Sequence, residues 1–154
     1  MTTKITNKII IIHFINIIIV VLFGCSNVKR EFKNIGSPLN KQQERIAIET
    51  INADSSKFTL LFFISGFNEE YTIKNGKIKI YDGKLKSDPS TGLAKVIKVN
   101  NEFHVMIKNK DSDFSFTINR RRLKRYKYVY IKHLSNKIKP YYKIIFSHTP
   151  TKFK

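Results

Sequence analysis

The chain opens on a nearly unbroken apolar block and then turns polar. Ile9–Phe23 is apolar except for His13 and Asn16. It follows Met1–Lys8, which carries Lys4 and Lys8 and no acid, and it precedes the polar Gly24-Cys25-Ser26-Asn27. A basic start, a short apolar run and a small residue form the three-part layout of a secretory signal. The run of 15 residues makes ~22 Å of helix, short of the ~30 Å of a bilayer core. His13 and Asn16 weigh further against a permanent span.

After this block the apolar period is two. Residues 26–44 are polar around Gly36, Ser37 and Pro38 and read as a flexible tether, spanning ~24 Å r.m.s. as a coil of about 19 residues. Arg45–Glu49 alternates apolar and charged residues, which predicts a strand rather than a helix begun at Asn40. Phe58–Phe67 is apolar on both faces, as in a central sandwich strand. Asn75-Gly76 predicts a tight hairpin that pairs Ile73 with Ile78 and Tyr71 with Ile80. Asp82-Gly83 marks a second turn or bulge, and Ser87–Gly92 a loop. Asn100-Asn101 predicts a third hairpin, with Ala94, Val96, Phe103, Val105 and Ile107 on the core face. Ile97, His104 and Met106 then fall on the other face. Phe114, Phe116 and Ile118 give the cleanest alternation, Arg120–Arg125 a basic turn, and Tyr126–Leu134 and Tyr141–His148 the closing strands. The pattern predicts an all-β domain over residues 45–154, sandwich-like or an open antiparallel barrel of about eight or nine short strands. It follows a signal helix over 1–24 and a tether over 25–44.

The end of the apolar block is the most specific motif. Leu22-Phe23-Gly24-Cys25 resembles the lipobox of bacterial lipoproteins, in which a small residue precedes the cysteine to be acylated. The resemblance implies a diacylglyceryl group on Cys25, cleavage after Gly24 and acylation of the new amino terminus. Ser26, where an aspartate would retain such a protein at the inner membrane, fits passage to an outer membrane. More than one acyl chain gives stable anchoring, at ~0.8 kcal/mol per buried CH₂. Cys25 is the only cysteine of the chain, which excludes an internal disulfide framework and a multi-cysteine zinc site. An uncleaved, single-pass anchored chain is the alternative.

Charge then changes the picture. The 154 residues carry 29 Lys and Arg against 11 Asp and Glu, a net of +18. Removal of residues 1–24 leaves 27 against 11, a net of +16. Asp113 is the last acid, and twelve bases follow it. Arg120, Arg121, Arg122, Lys124 and Arg125 concentrate at one place, followed by Tyr126, Tyr128 and Tyr130 and then Tyr141, Tyr142 and Phe146. Such a surface attracts polyanions, and aromatics among bases also stack on nucleobases. For an anchored protein the nearer partners are anionic lipid, acidic polysaccharide or an acidic protein rather than nucleic acid. Abundant Ile, Lys, Asn, Phe and Tyr also match an AT-rich coding sequence, and lysines guard strand edges. Four of the six arginines nevertheless fall within 120–125.

Candidate chemistry is sparse. His104, His133 and His148 show no ligand spacing, and no metal or cofactor is expected. No nucleophile elbow, phosphate loop or dinucleotide fingerprint occurs. The expectation is an exported, membrane-anchored, non-enzymatic binding or structural module. The alternative is an enzyme acting on envelope polymer through Asp82 or Asp88 with a histidine.

Overall fold

The structure, a computed structural model, describes residues 28–33, 56–135 and 140–150. Nine strands and one short helix follow in chain order: β1 (Val28–Lys33), β2 (Phe58–Ile64), β3 (Asn68–Asn75), β4 (Ile78–Lys86), β5 (Leu93–Asn100), β6 (Val105–Asn109), β7 (Ser115–Ile118), α1 (Arg120–Arg125), β8 (Tyr128–Ser135) and β9 (Pro140–Ser147). The expected all-β class is found, as two sheets in a sandwich-like arrangement. The first sheet has the order β1-β9-β8-β2-β5 and the second β4-β3-β6-β7. The second is antiparallel throughout. The first is mixed, because β1 runs parallel to β9 and β2 parallel to β8, where an antiparallel domain was expected.

Period-two alternation builds the core. Leu61 and Phe63 of β2, Tyr71 and Ile73 of β3, Val105 and Ile107 of β6, and Val129 and Ile131 of β8 form one buried cluster. The alternate positions Leu60, Phe62 and Ile64 join Tyr130 and Ile145 in a second buried cluster. β2 is thus buried on both faces, as its unbroken apolar run predicts.

Three local expectations are corrected. The turn after β3 is centred on Gly76-Lys77, not Asn75-Gly76: Asn75 pairs with Ile78, and a bulge then sets Ile73 opposite Tyr81. Asn75 stays in the strand because its side chain is engaged elsewhere, accepting from Asn100 N–H (2.8 Å) and donating to Asn100 O (3.0 Å). Asp82-Gly83 makes no turn, and β4 runs straight through it. Asn100-Asn101 is no hairpin either, since β5 pairs with β2 while β6 pairs with β3 and β7. The chain crosses between sheets there, so β5 need not share the facing of β6. Val105 and Ile107 are buried as expected, but on β5 the core residues are Ile97 and Val99, and Phe103 is exposed.

Residues 28–33, inside the expected tether, form β1 at the edge of the first sheet, in register from Val28 opposite Tyr142 to Lys33 opposite Ser147. Alternation is poor in this stretch, and a parallel partner more than a hundred positions away supplies the ladder. The strand expected at Arg45–Glu49 and the signal helix lie outside the described residues.

Candidate anion-binding surface

The sandwich has two poles. The pole reached by the Lys33 end of β1 carries α1, the β3–β4 turn and the β5–β6 turn, tied together by Asn75 Nδ2 to Asn100 O and by Arg120 N–H to His104 Nδ1 (3.4 Å). The opposite pole, at Val28, carries the 65–67, 87–92 and 110–114 connections.

The expected basic turn is a helix. Asn119 (φ −70°, ψ 140°) accepts from Arg121 N–H at 2.9 Å through its side chain, and Tyr126 N–H closes the far end on Arg122 O. This is an Asn cap on a single hydrogen-bonded segment. Leu123 pins it: the side chain is 1% exposed in the core, and Thr59 Oγ1 donates to Leu123 O at 2.7 Å. With Leu123 turned inward, Arg120, Arg121, Arg122, Lys124 and Arg125 are all exposed. Lys124 meets Glu102 at 2.7 Å. Arg122 lies over the Phe32 ring at 4.5 Å and Arg125 over Tyr126 at 5.5 Å. Among the described residues no carboxylate pairs with Arg120, Arg121, Arg122 or Arg125. The first turn holds no acid, although a helix start favours one. Helix stability therefore does not account for Arg120 and Arg121.

Among the described residues, the turns and helix of this pole, with Lys57 and Lys127 beside them, hold eight Lys and Arg against Glu102. The described connections of the opposite pole hold Lys110 against Asp88, Asp111 and Asp113. Among the described connections, charge is thus segregated along the strand axis.

Three of the tyrosines expected on the basic surface do not join it. Tyr126, Tyr130 and Tyr142 are buried. Tyr126 belongs to the main core while Tyr128 and Tyr130 lie with the second cluster, so the three do not share one face as the alternation suggests. Tyr126 precedes β8 and closes the helix, which breaks the period.

Histidines and acids likewise go to separate places. His104 is exposed and its Nδ1 accepts from Arg120 N–H. His148 packs on Tyr126 at 4.7 Å between ring centroids. Asp82 sits on the outer face of the second sheet between Lys110 (2.5 Å) and Lys79 (2.7 Å), and Lys110 foremost holds its carboxyl well below the usual range. Asp88 Oδ1 accepts from the hydroxyls and backbone N–H groups of Ser90 and Thr91. These bonds, led by the Ser90 hydroxyl, bring its pKa down to about 2. The loop that looked densest in polar groups is thus occupied by its own turn chemistry. No histidine bonds Asp82 or Asp88 among the described residues.

The histidine that does meet a carboxylate is His133, 3.8 Å from Glu69. Sequence reasoning missed this cluster. Between the sheets at the Val28 pole, Tyr71 donates to Glu69 at 3.0 Å and shares a 3.0 Å hydrogen bond with Tyr142. Asn109 Nδ2 donates to Glu69 and to Tyr142 Oη. The His133 ring stacks on Tyr142 at 4.9 Å and its Nδ1 faces Gly66 O at 3.0 Å. Burial foremost pushes both phenols up from their ordinary pKa, so they serve as neutral hydrogen-bonding groups. Every polar atom named here has a partner, which makes the cluster a fastener between sheets. Its only sequence signal is Tyr71 and Tyr142 at inward strand positions, since a buried phenol needs a polar partner.

The described residues contain no group of three or more potential metal ligands. Cys25 lies outside the described residues. The fold and its charge define a two-sheet β-sandwich with one strongly basic pole. No known family model matches the chain, and neither a curated protein nor a solved structure does.

Proposed function

We propose that this chain is an exported bacterial lipoprotein, anchored through acylated Cys25, preferentially at an outer membrane, and that it works as a non-enzymatic binding module. Its basic pole engages an anionic component of the envelope. The observation that carries the reading is α1: four guanidinium groups without a carboxylate partner among the described residues, on a six-residue helix. Arginine's planar fork suits phosphate, carboxylate and sulfate, and binding releases the counterions those groups condense. The lipobox-like Leu22–Cys25 segment supports the anchor.

The test is retention on an anionic matrix. A variant with Arg120, Arg121, Arg122, Lys124 and Arg125 all changed to Gln should elute at markedly lower salt than the parent. Equal elution would mean that this pole is not the binding surface. Incorporation of labelled palmitate, lost in Cys25→Ser, checks the anchor independently.

A further inference from the structure

We infer that the basic pole faces away from the bilayer that anchors the protein, and that its partner is an extended polyanion beyond the headgroup layer. This rests on the reading of Cys25 as the anchor. The expected tether of 25–44 would let the domain turn freely. The structure removes that freedom, because β1 begins at Val28, only three positions after Cys25. Three residue steps reach at most ~11 Å. The acylated residue is therefore leashed to the Val28 end of an edge strand. There Val28 lies opposite Tyr142 and the fastening cluster. From Val28 the strand runs five steps to Lys33, beside α1, or ~17 Å at about 3.3 Å per residue. Charges more than a Debye length of about 8 Å from the headgroups are largely screened from them at physiological salt.

The charge pattern agrees. The described anchor-side connections carry Asp88, Asp111 and Asp113 against Lys110, while eight cations stand on or beside the turns and helix of the far pole. The partner chemistry follows from what that pole offers. The Tyr126 ring is buried, and the Phe32 and Phe58 rings are capped by Arg122 and Lys98. A surface on which guanidinium and ammonium groups outnumber the exposed Phe103 ring reads repeated oxyanions foremost. A phosphate-, carboxylate- or sulfate-bearing polymer has that chemistry.

The membrane-extracted full chain, reconstituted in liposomes containing anionic lipid and a headgroup-linked quencher, tests this. Single thiol probes go at Lys77→Cys, on the β3–β4 turn, and at Ser112→Cys, on the β6–β7 connection. The two sit at opposite ends of the same sheet. With ~13 Å or more of strand between them, the Ser112 probe should be quenched roughly twofold or more beyond the Lys77 probe. Equal quenching, or stronger quenching at Lys77, overturns the orientation. Soluble polyphosphate and a carboxylated polysaccharide, tried separately, should float with liposomes that bear the parent chain and not with those bearing the five-site Gln variant. If neither polymer floats, the assigned partner is wrong, and capture of an acidic protein instead would replace it. The parent without an added cysteine should take up no thiol dye. If it does, Cys25 is bare, and the anchor reading has failed in a way separate from a reversed quenching pattern.

Discussion

Gly66 stands where β2 leaves the first sheet, at φ +76°, and a Cβ there would overlap the backbone carbonyl oxygen of His133. Its own carbonyl faces His133 Nδ1 at 3.0 Å. The position therefore needs both the left-handed backbone and the missing side chain, and the contact it allows aligns the ring that stacks on Tyr142. Gly66→Ala should cost about 3 kcal/mol or more, as left-handed strain and a backbone clash act together. Urea unfolding measures it, and a loss under about 1 kcal/mol would show that the turn relaxes instead. The surrounding cluster illustrates what linear patterns hide. Glu69 and Asn109 lie 40 positions apart in the chain. Neither signals the other, because their meeting depends on β3 pairing with β6 and on the second sheet packing over β9. Tyr142 was expected among the surface aromatics, and its hydrogen bond to Tyr71 depends on the packing of the two sheets.

Helix α1 has only six residues, too few to persist alone in water. Tertiary contacts hold it: the Asn119 cap, the bond from Thr59 to its backbone, and above all the burial of Leu123. Leu123→Ala should destabilise the protein by about 2–5 kcal/mol, seen as a lower denaturant midpoint. An unchanged midpoint would mean the helix docks through its backbone alone. The run Arg120–Arg125 was conspicuous as charge but not as helix, because one buried leucine among five cations makes no amphipathic stripe. The hairpin register failed for a related reason. Asn75-Gly76 is a good turn pair in isolation, yet the side chain of Asn75 is committed to Asn100, and the turn moved one residue along. Elements whose partners lie close in sequence, such as β6 with β7 and β8 with β9, were legible. β1, whose strand partner among the described residues is β9, was not.

At the scale of the molecule, the electrostatic pattern makes stability depend on acid. Lys143 holds the Glu31 carboxyl below its ordinary range, Lys110 does so for Asp82, Lys108 for Asp113, and the Ser90 hydroxyl leads for Asp88. All four release protons more readily folded than unfolded. Their stabilisation is present above the unfolded carboxyl pKa near 4 and is lost as pH falls through the folded values. Thermal melting should therefore vary little from neutral pH to about 4.5 and drop steeply below about 4. Protonation of every carboxylate would also raise the net charge from +18 towards +29, and self-repulsion then acts in the same direction. Asp88→Asn separates the two contributions, because it should make the drop between pH 4 and about 2 shallower. A drop of unchanged steepness would remove Asp88 from the account. What is local or additive can be read along the chain: the all-β class from its period of two, the excess of base after Asp113, the lipobox-like segment ending at Cys25, and the strands with near neighbours. Where those charges stand follows from the folding of distant segments onto one another. Strand order, the crossings between sheets and the parallel docking of β1 depend on contacts between distant positions, which leave no period in the chain. Those contacts place eight cations on or beside the described connections opposite Val28 and turn Tyr71, Tyr126, Tyr130 and Tyr142 inward.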